Sequence, residues 1–551
     1  MTIGPDYAQA VTAFNRFGLG ARPGDLNAAA GDPQGFLLEE LWTANIALIR
    51  DRAPASGQSA LQAYYLEQQQ LRAERVRIAA RPSAAQSAER APAMLAGRPG
   101  GPIATIPPTA LSMATMGPVP PAGPSTAQTP SALAAAPLEA APPQGSSLAS
   151  TSAISTGAAP PEGVTMAAPH EAKPAAAKPQ PPVVQAQFSA EASARLQKQL
   201  QARAGFVERL VAFWSNHFAV SAAKSAELRI AAGPFEREAI RPNALGKFSA
   251  LLRAAETHPA MILFLDNQNS IGPNAGPGKF AGRGLNENLA REILELHTLG
   301  VGSGYTQADV TELARIITGW SVAGPESEAG QPGAFLFKPN WHEPGQRTLL
   351  GKTYAEAGVE QGRAALDDLA RHPATARHIA TKLVRHFVAD DPPVDLVNAL
   401  QRKFLDSGGD LAVVASALVS DDRAWSARPT KIRTPLEFVV GAARATGFSP
   451  SDPGLYLQSL NLLGMPLWQP GGPNGFSDMS DAWASPEGMK ARLDLAWSMG
   501  QRMRGAAEPV AALKTALGET ASPETRQAVE RAESREQALA LLFMAPEFQR
   551  R

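Results

Sequence analysis

From Pro82 to Gln187 the sequence is built of Ala, Pro, Ser, Gly and Thr, with few charges and almost no aromatic side chains. Such a stretch cannot bury enough apolar surface to offset the entropy lost on ordering it, so it reads as disordered or partly polyproline-like. The insert divides the chain into residues 1–81, the insert 82–187, and 188–551. Closing a long loop costs only logarithmically more than closing a short one. The two flanking parts are therefore expected to pack into one body, with the insert as a tether.

Both flanks carry helical signals. Asp32-Pro33 offers a side-chain cap followed by proline at the first helical position, where a missing N–H costs nothing. Phe36, Leu37, Leu41 and Trp42 supply the apolar face. A more polar helix spans about Leu61 to Arg77. Helical periodicity resumes near Ala190 and continues through His372–Phe387, Leu411–Leu418, Leu436–Ala445 and Arg535–Phe543. Phe335–Phe337 and Thr348–Leu350 read as a small hairpin around Pro339–Gly345. Strands and helices do not alternate, which argues against a wound sheet or barrel. The expected fold is mainly α: one multi-helical body with a small β-hairpin and a long disordered Pro/Ala-rich insert.

Composition narrows the chemistry. The chain has 51 basic and 51 acidic side chains, so no net field draws it to nucleic acid. It has no cysteine, which removes thiolate nucleophiles, disulfides and thiolate metal sites. Residues 1–14 lack the pattern of a signal peptide, and no apolar run is long enough to span a membrane. Read as written the chain is cytoplasmic; with a leader upstream it is exported or envelope-associated. Oligomeric state is not readable.

Two helices carry most of the candidate chemistry. In Phe206–Phe218, helical spacing sets His217 on the apolar face with Phe206, Leu210 and Phe213, at the end of Trp214-Ser215-Asn216-His217-Phe218. His217 is there either an acid/base group or ligand, or a core histidine bonded to a carbonyl. In Asn286–Leu299, the packing stripe is Leu289, Ile293 and Leu296, and Gly300 ends the helix. Asn288, Glu292 and Glu295 share one flank, with His297 on the other. Glu287 is spaced to pair with Arg291. Two adjacent carboxylates can serve as general acid and base when one is desolvated, or bind a divalent cation. The alternative is a salt-bridged face in which Arg291 reaches Glu295 as well.

Several loops are polar. Asp266-Asn267-Gln268-Asn269-Ser270 precedes the Gly-rich run Gly272–Gly284, which suits a sugar or phosphate or simply makes turns. Thr306 and Asp309 form a capping arrangement. Trp341-His342-Glu343 places an exposed histidine beside a carboxylate on the hairpin loop. The stretch Trp468–Phe476, with Trp483, either stacks on rings or covers a core.

These segments resemble the bacterial family catalogued as domain of unknown function 1800. The resemblance rests on Phe14-Asn15-Arg16-Phe17-Gly18-Leu19-Gly20, Phe213–Phe218, His258–Met261 with Asp266-Asn267, and Asn286-Glu287-Asn288 through His297–Gly300. Tyr305–Gln307, Thr318-Gly319-Trp320 and the closing Pro546–Arg551 continue it. The chain departs from the pattern at Gly475-Phe476-Ser477, where Gly-Trp-Pro is expected, and at Glu343, where aspartate is usual. The resemblance implies no activity, cofactor or catalytic residue. Members often look exported and tend to be encoded beside sulfatase-like proteins, which points to the envelope or extracellular polysaccharide.

Two functions stay open. The first is a hydrolase or related transferase on a glycan-like polar substrate. Its catalytic residues are Glu292, Glu295 and His217, and its substrate contacts Asn216, Asp266, Asn267, Asn288, His297, Trp320 and His342; its cofactor is left open, with a divalent metal one option. The second is a non-catalytic binding or scaffold protein of the envelope.

Overall fold

The computed structural model describes residues 6–50, 53–79, 182–276, 284–327 and 329–551. They form a mainly helical body. The first helices start where local chemistry directs. The Asp32 side chain accepts from the Gly35 N–H and Pro33 opens the helix Pro33–Trp42. Thr306 and Asp309 make a reciprocal capping box ahead of the helix Gln307–Ile316. Gly57–Ala79 is the polar helix expected near Leu61–Arg77.

The insert, over 82–181, lies outside the described residues. Its expected end at Gln187 needs correction: a helix already runs over Val183–Gln201, burying Gln187, Phe188, Ala192 and Leu196. Val183 and Val184, which look like a continuation of the Pro-rich run, belong to that helix. The helices Gly57–Ala79 and Val183–Gln201 pack together and both rest on Ala226–Phe235. One apolar core takes side chains from both flanks, from Phe14, Phe17 and Leu37 to Phe206, Trp214, Leu383, Phe438 and Phe548. Further on, Pro486–Met503 packs along Arg535–Met544, and Pro373–Phe387 along Val394–Asp406.

Four short strands make two antiparallel pairs, β1 (Trp320–Val322) with β2 (Phe335–Phe337), and β3 (Arg347–Leu349) with β4 (Lys352–Tyr354). The predicted strands exist, but the expected partners are wrong. Phe337 faces Trp320 and Leu349 faces Lys352. The hairpin therefore turns at Leu350-Gly351, where both residues have positive φ, and not around Pro339–Gly345. Among the described residues, no helix is long and apolar enough to cross a membrane.

Candidate functional site

The segment Asn286–Leu299 is helical but not regular. Asn288–Glu292 is α-helix and Ile293–His297 is a π turn. A π turn holds an extra residue, so later side chains sit about one position behind a regular wheel. The predicted stripe changes accordingly. Leu289, Ile293 and Leu294 are buried, Leu296 is only half-buried, and His297 takes the inward position at 0 % exposure. Gly300 ends the turn with φ +90°, its N–H donating to the Leu294 carbonyl.

Glu292 and Glu295 remain half-buried on the outer side. Arg291 pairs with Glu287 at 3.3 Å and donates to Gln307 at 2.9 Å. Among the described residues, neither Glu292 nor Glu295 has a cation partner. Burial raises the Glu292 carboxyl above its ordinary value; the nearby His297 opposes the rise and Glu295 adds to it. Burial, then the charge of Glu295, likewise raises the Tyr305 phenol.

Beneath this edge lies a buried pair. His297 Nδ1 is 2.8 Å from Glu256 Oε1, with both side chains at 0 % exposure. The contact is close but poorly aligned, and the ring nitrogens of His297 and the oxygens of Glu256 have no other partner. Glu256 is a functional candidate that the sequence reading missed. Its signal is its spacing: it ends the helix Phe248–Glu256 in line with Phe248 and Leu252, on the buried face.

Two further histidines hold the π turn by its backbone. His217 Nε2 donates to the His297 carbonyl at 3.1 Å, and His378 Nε2 to the Leu296 carbonyl at 3.1 Å. Burial, with Lys382 adding to it, pushes His217 well below its ordinary value and His378 down to about 4. His217 is thus a core histidine bonded to a carbonyl, as one of its two readings holds.

The other sequence candidates are placed separately. Asn216 grips the C-terminal loop, donating to the Phe476 carbonyl and accepting from the Phe476 N–H, both at 2.8 Å. A Cβ at Gly475 would lie 2.4 Å from the Asn216 carbonyl, so this approach needs glycine. The aromatic stretch covers the core: Trp468 and Trp483 are buried, with indole N–H groups on Glu236 and the Ser477 carbonyl. Asn267 is buried and donates to the carbonyls of Ile317 and Trp320. Trp320 is sealed in the core, its ring against Gly362. Asp266 pairs with Lys224 at 2.7 Å, and Asn288 is exposed.

His342 and Glu343 are the clearest correction. They are buried, not exposed on a hairpin loop. His342 Nδ1 donates to the Thr318 carbonyl at 3.1 Å, while Glu343 accepts from the Asn274 N–H and side-chain amide. Glu343 thus anchors Asn274, and His342 anchors the segment at Thr318. Among the described residues, no group of three His, Asp or Glu stands where it could hold a metal ion.

A family model described as a protein of unknown function, DUF1800, matches residues 12–550. The chain belongs to the DUF1800 family. No curated protein and no solved structure matches it. In this DUF1800 chain the matched region takes in the Glu292 edge, the Glu256–His297 pair and the π turns Ala13–Phe17, Glu236–Ile240 and Ile293–His297.

Proposed function

We propose that the chain is a hydrolase or related transferase acting on a glycan-like polar substrate, with Glu292 and Glu295 as its acid/base carboxylates. One observation supports this most: two neighbouring half-buried carboxylates without a cation partner among the described residues, one of them raised by burial. A desolvated carboxyl can hold a proton for a leaving group, while a better-solvated neighbour stays ionised to activate water. His297, held against Glu256, is the neighbour positioned to tune Glu292. His217 and His378 enter as positioning residues that hold the turn. Asn288 is the exposed amide on the same helix and orients substrate.

The test is turnover on chromogenic glycosides and acyl esters, comparing the native chain with Glu292→Gln. The reading expects a loss of roughly a hundred- to ten-thousand-fold in kcat, the usual range for an acid/base group. Turnover equal in the two proteins would overturn it.

A second reading, a non-catalytic binding protein, is favoured by a different observation. The helix Gly57–Ala79 leaves Leu66, Leu71, Val76 and Ile78 exposed; Leu71 and Ile78, seven residues apart, lie on one face, and exposed apolar side chains that share a face mark contact surfaces. It expects association in solution that Leu71→Glu with Ile78→Glu abolishes, measured by light scattering.

A further inference from the structure

The N-terminal motif Phe14–Gly20 and the C-terminal motif Pro546–Arg551 meet around a cavity of about 470 Å³. Val11, Asn15, Arg16, Trp425, Pro429 and Glu547 contribute to its walls, together with Arg428, Arg550 and Arg551. Its charged lining is therefore four arginines against one glutamate. That glutamate keeps its charge but not its lone pairs: Glu547 accepts from the Ser522 N–H at 2.8 Å and from the Thr525 hydroxyl at 3.0 Å, and three positive charges remain in excess.

The imbalance continues behind this lining, where Arg209, Arg433 and Arg492 join Arg16 and Arg551 of the wall, all five buried. Arg209 and Arg551 share the single carboxylate of Glu437, at 2.7 and 2.8 Å. The other three have no carboxylate partner among the described residues. Arg16 donates to the carbonyls of Ala424, Trp425 and Ala427, Arg433 to Asn15 Oδ1, and Arg492 to Gln549 Oε1 and the Arg433 carbonyl. Carbonyls and amides satisfy the N–H groups but do not neutralise the charge. Burial, with the charge of Arg551 adding to it, lowers Arg16 to about 10, which leaves it a cation at neutral pH. Five buried guanidiniums, with Glu437 as their one ion-pair partner among the described residues and Asp478 as a more distant counter-charge to Arg209, create a positive potential that a cavity with low-dielectric walls concentrates.

The wall is also held in place. Arg16 fixes the carbonyls of the segment 424–427, which leads directly to Arg428. Arg550 comes from the other side, on the tail that bridges to Ile432. Both arginines are exposed and have no side-chain partner among the described residues. Trp425 and Val11 give the cavity an apolar side, and its volume is in the range of small-molecule sites.

We infer that this cavity binds a small multivalent oxyanion, with Arg428 and Arg550 as direct ligands and the buried arginines as the field behind them. Bidentate guanidinium contacts suit phosphate, sulfate or paired carboxylates. The site shares no residue with the Glu292 edge and is independent of the proposed activity.

The test is calorimetric titration of the full chain with pyrophosphate, phosphate, sulfate and citrate, with sodium chloride at matched ionic strength as control. Saturable binding by at least one probe is expected, weakened roughly a hundredfold in Arg428→Gln/Arg550→Gln, about tenfold for each of the two charge-assisted contacts removed. Because both side chains are exposed, the double variant should melt as the native chain does without anion. Absence of binding by every probe overturns the inference. So does unaltered affinity in the double variant, which would place the anion elsewhere.

Discussion

Of the three π turns among the described residues, Ala13–Phe17, Glu236–Ile240 and Ile293–His297, the first and last close on a glycine and are wired differently. Ala13–Phe17 and Ile293–His297 are both π turns that end an α-helix. Each closes on a glycine with φ +90°, Gly20 or Gly300, whose N–H donates to the carbonyl six residues back, Phe14 or Leu294. A wide turn leaves carbonyls that need outside donors. At the first turn these donors are guanidiniums: Arg209 donates to the Arg16 carbonyl, and Arg444 Nε to the Gly20 carbonyl at 2.6 Å. At the second they are imidazoles, His217 and His378. The polar side chains differ as well. Asn15 and Arg16 are consumed by bonds to Ala516, Arg433 and the 424–427 carbonyls, whereas Glu292 and Glu295 are left without cations. The lesson is that an irregular turn is not itself a sign of chemistry; what marks the second turn is that its acids make no ion pair among the described residues, Glu295 sharing a hydrogen bond with the Tyr305 hydroxyl instead.

The contrast can be broken most forcefully at the inward side chain of each turn. His297→Ala strands the Glu256 carboxylate in the core and should cost about 3–5 kcal/mol in chemical denaturation. Replacing both, His297→Leu with Glu256→Leu, should recover more than half of that loss. If the single variant is nearly neutral, the pair is not charged and the contact is incidental. At the first turn, Arg16→Met keeps the apolar stem but strips three carbonyls of their donor. Relief of repulsion with Arg551 offsets part of the effect, leaving a loss of about 2 kcal/mol. A gain in stability would show that charge crowding outweighs the carbonyl bonds.

Acid should separate the two turns next. His217 and His378 have folded values below the ordinary 6.5, so their neutral forms are favoured by folding. That contribution is fully present above pH 6.5. It is lost as pH falls from 6.5 toward about 4 for His378, and further for His217, by at most about 1.4 kcal/mol per pH unit for each imidazole. Arginine donors do not titrate in this window. Amide protection, taken relative to the intrinsic exchange rate at each pH, should therefore fall at Gly300 before Gly20 between pH 6.5 and 4; simultaneous loss would mean the donors do not set the difference.

Gly20→Ala and Gly300→Ala each force a side chain into left-handed backbone and should cost about 1–2 kcal/mol. Gly300 should be the worse, because its Cβ would lie 2.8 Å from His378 Nδ1, against 3.3 Å from Gly441 Cα at Gly20. The smallest change in stability is expected for Glu292→Gln. The raised carboxyl favours folding only while protonated, below its unfolded value near 4.5. Above that the native chain loses the benefit, so the variant should melt at the same temperature or slightly higher at neutral pH.

What was legible in the sequence was chemistry acting over a few residues. Asp32, Thr306 with Asp309, and Gly300 cap their helices as their side chains dictate. Helical periodicity gave the fold class. The π turn was not legible, because a wheel of constant pitch assumes the regularity that Ile293–His297 breaks; it sent Leu296 inward and His297 to the flank. Strand partners failed for another reason: three-residue strands such as Phe335–Phe337 have too little alternation to fix a register. His342 and Glu343 looked exposed because polar loops usually are, while their burial depends on Asn274 and Thr318, far along the chain. The arginine cluster was invisible for the same reason, its members being scattered from Arg16 to Arg551.

The contact between Gly57–Ala79 and Val183–Gln201 has a consequence for how the chain can be made. Val183 N–H lies 3.4 Å from Glu67 Oε1, and both helices seat on Ala226–Phe235. The segment ending at Ala79 is thus recognised by surfaces belonging to the segment that starts at Pro182. Two genes, one encoding each segment, would yield complementary polypeptides that find each other and rebuild the same core, a ready basis for a split reporter.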